Sequence, residues 1–259
     1  MAYYLKHDTV HGSYPGRVEC EGDSLIVGDH RIPIYLGLET GAWPWRELGI
    51  DVVLECSGAF TDGKNARSHL EAGAKAVVIA APGRNTDYTV IMGVNDVQLS
   101  SSHRVVDMGS CTANCVGVVL AALMKRVNIV SVDIGSVNAY TSAQRLVDQP
   151  HHDWRQGRAA AQNIIPTESS IVETLQRVWS REFNVTAIAH RVPVVCGSVA
   201  SLLVELYSVK DAADVNDLLR QSVGPYLALR DDPMVSSDVI GDPHSAVIDT
   251  TCTTILPRH

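Results

Sequence analysis

The stretch Val105-Val106-Asp107-Met108-Gly109-Ser110-Cys111-Thr112-Ala113-Asn114-Cys115 passes from a β-branched run through a Gly-Ser turn into helical spacing, which Val116, Leu120, Leu123 and Met124 continue. A strand that hands over to a helix in this way puts Cys111 in the helix's first turn. The backbone N–H groups there have no intrahelical partner and stand at the positive end of the helix dipole. They favour a thiolate and offer donors to an oxyanion formed on an attacked carbonyl. That suits a covalent nucleophile. A free cysteine is more often a small buried residue, and Cys115, one turn inward, fits that role better.

Toward the N-terminus, Asp51-Val52-Val53-Leu54-Glu55-Cys56 reads as a buried strand ending in the turn residues Ser57-Gly58. Thr61-Asp62 fits a helix N-cap, Ala66, His69 and Leu70 fit helical spacing, and Gly73 sits at a C-terminal stop. Apolar runs follow at 76–81, 88–94 and 104–108. This strand, helix, strand order predicts a largely parallel sheet with crossovers, half of a doubly wound domain. From Ile129 the texture changes to long strand-like runs at 129–137 and 198–209, separated by amphipathic helices at 170–183 and 212–223. A second, α+β domain with a mixed, mostly antiparallel sheet is expected. The boundary falls near Ser110, giving residues 1–110 and 111–259.

The composition bounds the function classes. A chain of 259 residues, 46% hydrophobic, is long enough for a sizeable core. Its formal net charge of −8, with Lys and Arg scattered, offers no footprint for nucleic acid. No run is long enough to span a bilayer, and the start Met1-Ala2-Tyr3-Tyr4-Leu5-Lys6-His7 lacks the features of a secretory signal, so a cytoplasmic protein is expected. The six cysteines read as reduced thiols. Cys111-x-x-x-Cys115 has no second pair or nearby His couple, so no metal site is predicted.

Ser110-Cys111-Thr112-Ala113-Asn114-Cys115 resembles the nucleophile signature of phosphorylating glyceraldehyde-3-phosphate dehydrogenases, with Ala113 replacing a Thr. The resemblance continues in order through Leu5-Lys6-His7-Asp8-Thr9-Val10-His11-Gly12, Glu55-Cys56-Ser57-Gly58-Ala59-Phe60-Thr61, Gly93-Val94-Asn95, Ala159-Ala160-Ala161-Gln162-Asn163-Ile164-Ile165-Pro166 and Arg191-Val192-Pro193. It implies a partial Rossmann-like dinucleotide-binding domain joined to the catalytic domain. It also implies oxidation of a phosphorylated aldehyde through a thioester on Cys111, hydride transfer to NAD or NADP, and release by inorganic phosphate.

The same resemblance places the substrate and phosphate groups at Ser110, Thr112, Thr141, Arg158, Ser169 and Arg191. The cofactor groups fall at Ser57, Gly58, Ser142 and Pro150. A homotetramer follows, with residues 144–158 near a neighbouring subunit. Two departures stand out. The family's histidine base corresponds to Asn138, whose amide donates a hydrogen bond but takes no proton near neutral pH; His151 and His152 nearby read as solvated loop residues. Glu168 and Ser170 alter the phosphate loop, and a carboxylate there repels phosphate.

No Gly-x-Gly-x-x-Gly occurs in the chain, so the resemblance implies that the opening βαβ unit is absent, as are the strand and helix that would follow Ile255-Leu256-Pro257-Arg258-His259. A sheet edge and a helix bed would then lack their covers. These departures keep two alternatives in view: a catalytically impaired pseudoenzyme serving as a scaffold or thiol redox sensor, and erythrose-4-phosphate dehydrogenase.

Overall fold

The computed structural model describes residues 1–36, 41–179 and 183–256. The chain opens with α1 (Ala2–Lys6) and a two-residue ladder of β1 (His7–Asp8) with β2 (Gly12–Ser13). An antiparallel meander follows, β3 (Val18–Glu21), β4 (Ser24–Val27) and β5 (His30–Pro33). The strand runs singled out above begin at residue 51, so the meander is an addition to them. Its signal lies in two loops of two residues, Gly22-Asp23 and Gly28-Asp29, whose glycines take φ of 57° and 58°, a left-handed value that suits tight hairpins.

The parallel half matches the expectation. It comprises β6 (Val52–Glu55), α2 (Gly63–Ala66), α3 (Ser68–Glu71), β7 (Ala76–Ile79), β8 (Tyr88–Thr89) and β9 (Val105–Asp107). The strands lie in the order β6-β7-β9-β8 and every pairing is parallel. Asp62 caps α2, accepting from the Lys64 N–H at 2.9 Å. The run expected to extend over 88–94 leaves the sheet after Thr89. The Asn95 side chain takes the Ile91 N–H (2.8 Å) and donates to the Thr89 carbonyl (2.9 Å), which turns the backbone out of the ladder.

The second half contains α4 (Cys111–Met124), β10 (Ile129–Ala139), β11 (Ile165–Thr167), α5 (Ile171–Val178), β12 (Asn184–Val192) and β13 (Ser198–Leu206). After these come α6 (Ala212–Arg220) and a parallel pair, β14 (Leu227–Arg230) with β15 (Ala246–Asp249). The main sheet has the order β11-β12-β10-β13. Its central pair is parallel and the outer two are antiparallel, so it is mixed and mostly antiparallel. The helix expected over 170–183 ends at Val178, with positions 180–182 outside the described residues. Val116, Leu120 and Leu123 of α4 pack with Ile171 and Leu175 of α5, Val215 and Leu219 of α6, and Val132 and Ile134 of β10 in one core. α4 is thus held between two helices and a sheet, and its N-terminus is fixed where β9 ends.

A buried carboxylate joins the halves. Asp107, the last residue of β9, has no exposed surface. Its Oδ2 accepts from the hydroxyls of Thr86 (2.7 Å) and Thr89 (2.8 Å) and faces Arg177 Nη1 of α5 at 3.4 Å; Oδ1 accepts from the Gly109 N–H (3.1 Å). The same Arg177 nitrogen donates to the Gly83 carbonyl at 2.8 Å. Burial of a charge is tolerable only when its oxygens are filled in this way. Asp107→Asn turns an N–H toward either Gly109 or the Thr–Arg cluster. We expect it to cost roughly 2–4 kcal/mol by denaturant unfolding, whereas Arg177→Met, which leaves three of the donors in place, costs less. Equal losses would refute this ranking.

His69 gives the fold an acid sensitivity. Its ring is buried on α3 beneath Trp43, with centroids 4.0 Å apart, and burial pushes its pKa below the ordinary value despite the opposite pull of Glu55. Between that depressed value and about 6.5 the unfolded chain holds more protons than the folded one, so stability is full above this window and falls as pH drops through it. The melting temperature of the wild type should therefore decline from pH 7.5 to 5.5 more steeply than that of His69→Gln. Parallel curves would count against it.

Candidate active site

Cys111 is the first residue of α4 and its side chain is exposed. The turn before it is tied down from several sides. The Ser110 hydroxyl oxygen accepts the Ala113 N–H (3.1 Å), and the Ser110 carbonyl takes the Asn114 N–H (3.0 Å). The Asn114 side chain reaches back to the carbonyls of Met108 (2.7 Å) and Ser110 (3.0 Å). Since a helix's first turn has four N–H groups without intrahelical acceptors, those of Cys111 and Thr112 are left beside the thiol. Gly109 has φ of 62°, and any Cβ there would lie 2.8 Å from Thr174 Cγ2, so α5 is seated directly on this turn. Cys115, one turn inward, is half-buried and packs against the core, and burial pushes its thiol up to about 11.

Asn138 lies near the C-terminal end of β10, the strand that follows α4 in the chain. Buried positions alternate along the strand as Val132, Ile134, Ser136 and Asn138, and this is the face α4 covers. The Asn138 amide donates to Ser136 Oγ at 3.2 Å. Arg191 on β12 is its cross-strand partner and shares that face. Arg191 Nη1 donates to the Ala139 carbonyl (2.8 Å), while its Nε is buried and has no hydrogen-bond partner among the described residues. An unfilled guanidinium N–H costs free energy unless an acceptor arrives. It fits an anion.

The other predicted residues lie on several elements. Ser169 and Ser170 precede α5; the Ser169 hydroxyl takes the Ile171 N–H (3.4 Å), and Thr174, one turn on, bonds the Ser170 carbonyl (3.0 Å) and touches the Cys111 turn. Glu168 is exposed beside them. Thr112 is half-buried in the first turn of α4. Thr141 is held by Gln144, whose side-chain oxygen accepts from the Thr141 N–H (2.8 Å) and hydroxyl (3.2 Å). Arg158 is exposed on the 140–163 loop and paired with Asp148 at 3.0 Å, an ion pair its small neighbours in sequence gave no hint of. His151 is engaged with the Asp153 backbone.

Ser57 and Gly58 lie exposed just past the C-terminal end of β6, and Ser142 and Pro150 are exposed on the 140–163 loop. Ends of parallel strands in an open α/β sheet are where dinucleotides bind, and Gly58, with φ of 76°, has open space where a Cβ would stand. The Ser57–Gly58 turn is placed as a dinucleotide site would be. Asp107, Arg177, Thr174 and Gln144 were not among the predicted residues. The signal for Asp107 was a charged residue inside a β-branched run, while those for the others lay only in three dimensions.

The chain is similar to known proteins over nearly its whole length. Residues 1–63 match the NAD-binding domain of glyceraldehyde 3-phosphate dehydrogenase, and residues 110–259 match the C-terminal domain of the same enzyme. Glyceraldehyde-3-phosphate dehydrogenase 2 of Streptomyces arenae is 40% identical, the match covering 98% of this chain and 78% of the relative. Glyceraldehyde-3-phosphate dehydrogenase 2 of Bacillus subtilis is 37% identical over 99% of this chain and 77% of the relative. The Thermotoga maritima glyceraldehyde-3-phosphate dehydrogenase is 36% identical over 99% and 78%. With both halves matched and the thiol presented at a helix mouth between them, the chain belongs to the glyceraldehyde-3-phosphate dehydrogenase family.

Proposed function

We propose that this chain oxidises glyceraldehyde 3-phosphate with NAD and inorganic phosphate, with Cys111 as nucleophile. The observation that carries the reading is the exposed thiol at the first turn of α4, beside the backbone N–H groups of Cys111 and Thr112. Cys111 Sγ adds to the aldehyde carbon. The resulting oxyanion takes hydrogen bonds from those N–H groups and from the Asn138 amide. Ser57, Gly58, Ser142 and Pro150 would hold NAD, which would supply the hydride acceptor for oxidation of the Cys111 adduct to a thioester. Phosphate then attacks that carbonyl, the C–S bond breaks, and Cys111 leaves as thiolate. Arg191, with its unfilled Nε, is the principal anion-binding group; Ser110, Thr112, Thr141, Ser169 and Arg158 complete the phosphate sites, Arg158 after exchanging Asp148 for the ligand.

In this reading residues 1–110 form the cofactor part and 111–259 the catalytic part, supported by the change from parallel to mixed sheet and by the two matched domains. The relatives' names favour it over erythrose-4-phosphate dehydrogenase and over a non-catalytic thiol sensor. A cytoplasmic homotetramer working in glycolysis completes it. Among the described residues no helix is long and apolar enough to cross a membrane. Assembly is supported by exposed apolar side chains on the outer sheet face, Ile188 and Leu203, and on the 140–163 loop, Leu146 and Trp154.

With NAD, glyceraldehyde 3-phosphate and phosphate, the protein should produce NADH, and Cys111→Ser should abolish it; no NADH from the wild type sinks the proposal. Because Asn138 takes no proton, the rate should be slow, and Asn138→His should raise kcat by about a hundred-fold, the lower end of what a positioned base contributes. An unchanged kcat would show that proton removal is not limiting. Iodoacetamide at pH 8 should modify Cys111 well before Cys115, whose thiol is buried and stays protonated there; peptide mapping that finds equal labelling contradicts this.

A further inference from the structure

Beneath the Ser57–Gly58 turn lies a chain of buried polar side chains to which the reaction assigns no task. The Trp45 indole is a donor only, and its Nε1 lies 3.1 Å from His69 Nδ1. Nδ1 is therefore the acceptor, and the ring proton sits on Nε2, which faces Glu55 Oε2 at 3.3 Å. The other oxygen of Glu55 accepts from the Ser57 N–H (2.7 Å) and from the Ser57 hydroxyl. Ser57 Oγ accepts in turn from the Ala59 N–H (3.1 Å), closing the loop around Gly58.

Glu55 and His69 are 7% and 4% exposed. Trp43 stacks on the imidazole, and Phe60 and Trp45 flank it at centroid distances of 5.4 and 6.2 Å. Of the charged groups around the ring, Glu55 alone bonds it; Arg67 pairs with Asp87 and Arg46 reaches the Glu71 carbonyl. A buried Glu–His pair adds little stability over an apolar one, yet this one stands at the C-terminal end of a parallel strand, against the turn that fits the dinucleotide.

We propose that Trp45, His69 and Glu55 are positioning residues for the cofactor, locking Ser57 so that its hydroxyl meets the dinucleotide only as an acceptor. The hydroxyl has one proton and two lone pairs; Glu55 takes the proton and Ala59 fills one lone pair. The remaining lone pair receives an O–H or N–H donor, a ribose hydroxyl or the carboxamide, and has nothing to offer a phosphate oxygen. Protonated His69 carries hydrogen on both nitrogens and faces the Trp45 N–H with a second donor, so the chain breaks on acidification. This inference rests on the dehydrogenase reading above.

The test is titration of the full-length protein with NADH, read by nicotinamide fluorescence between pH 5.5 and 8.5, together with KM for NAD and kcat. Wild-type affinity should fall as His69 protonates. His69→Gln and Trp45→Phe should bind NADH about ten-fold more weakly at pH 8, with KM raised and kcat changed less than about two-fold, and the acid decline should vanish in His69→Gln. Ser57→Ala, an exposed position that does not threaten folding, should weaken binding similarly. If wild type binds but Trp45→Phe and Ser57→Ala bind as tightly, the positioning role is wrong while the function stands. If wild type binds no NADH at any pH, the function and this role fall together.

Discussion

The site depends on keeping the Asp107 carboxylate filled. Four donors converge on it from separate pieces of chain: Thr86 and Thr89 from the β8 region, Gly109 from the turn before the thiol, and Arg177 from α5. Removing any of them leaves charge uncompensated in a place water does not reach. Their placement therefore fixes where β9 stops, which way residues 108–110 turn and where α5 docks. Since α4 begins at Cys111, the direction of that helix, and with it the position of the thiol's neighbouring N–H groups, follows from how this one carboxylate is satisfied.

What could be read in the sequence follows the range of the interactions involved. The strand–turn–helix around Cys111 was legible because β-branched periodicity, a Gly-Ser turn and helical spacing are local, and the same holds for the cap at Asp62 and the parallel order of β6, β7 and β9. The early end of β8 was not, because it depends on one Asn95 side chain capturing two backbone groups. Nor was the Arg158–Asp148 pair: neighbours such as Ala159 and Ala160 say nothing about a partner ten residues back. Arg177 is 70 residues from Asp107 in sequence, and no pattern in either segment announces the other. Of the site, the placement of Cys111 in a helix's first turn was readable from local pattern; the groups that hold that turn in place were not.

The substitution at Asn138 removes one function of a side chain and keeps another. On β10, in register with Arg191, the amide is buried and donates to Ser136 Oγ. It keeps a hydrogen-bond donor at the strand end while giving up proton uptake. Stabilisation of an oxyanion and binding of anions draw on donors whose protonation does not change, and in the proposed reaction the helix N–H groups and Arg191 supply these as well. Proton removal draws on a titrating group, which an amide is not; the nearby His151 has its Nδ1 engaged with the Asp153 backbone. In the proposed reaction Asn138 thus keeps one of the two contributions a single histidine would combine.

The two halves of the site are made by the same local device. Glu55 ends β6 and Asp107 ends β9. Each is buried, and each uses one carboxylate oxygen to accept the N–H two residues on, Ser57 in one case and Gly109 in the other. In both turns a glycine takes a left-handed conformation, Gly58 at φ of 76° and Gly109 at 62°. A carboxylate that bends the chain as it leaves a parallel strand leaves the next residues exposed at the crevice, with their backbone held from below. In the proposed reaction one turn offers Ser57 to a dinucleotide, and the other offers Cys111 to a carbonyl. Both carboxylates are costly to bury, and both act by shaping a turn instead of touching a ligand, which is why their partners, Arg177 and His69, matter to the chemistry without reaching it.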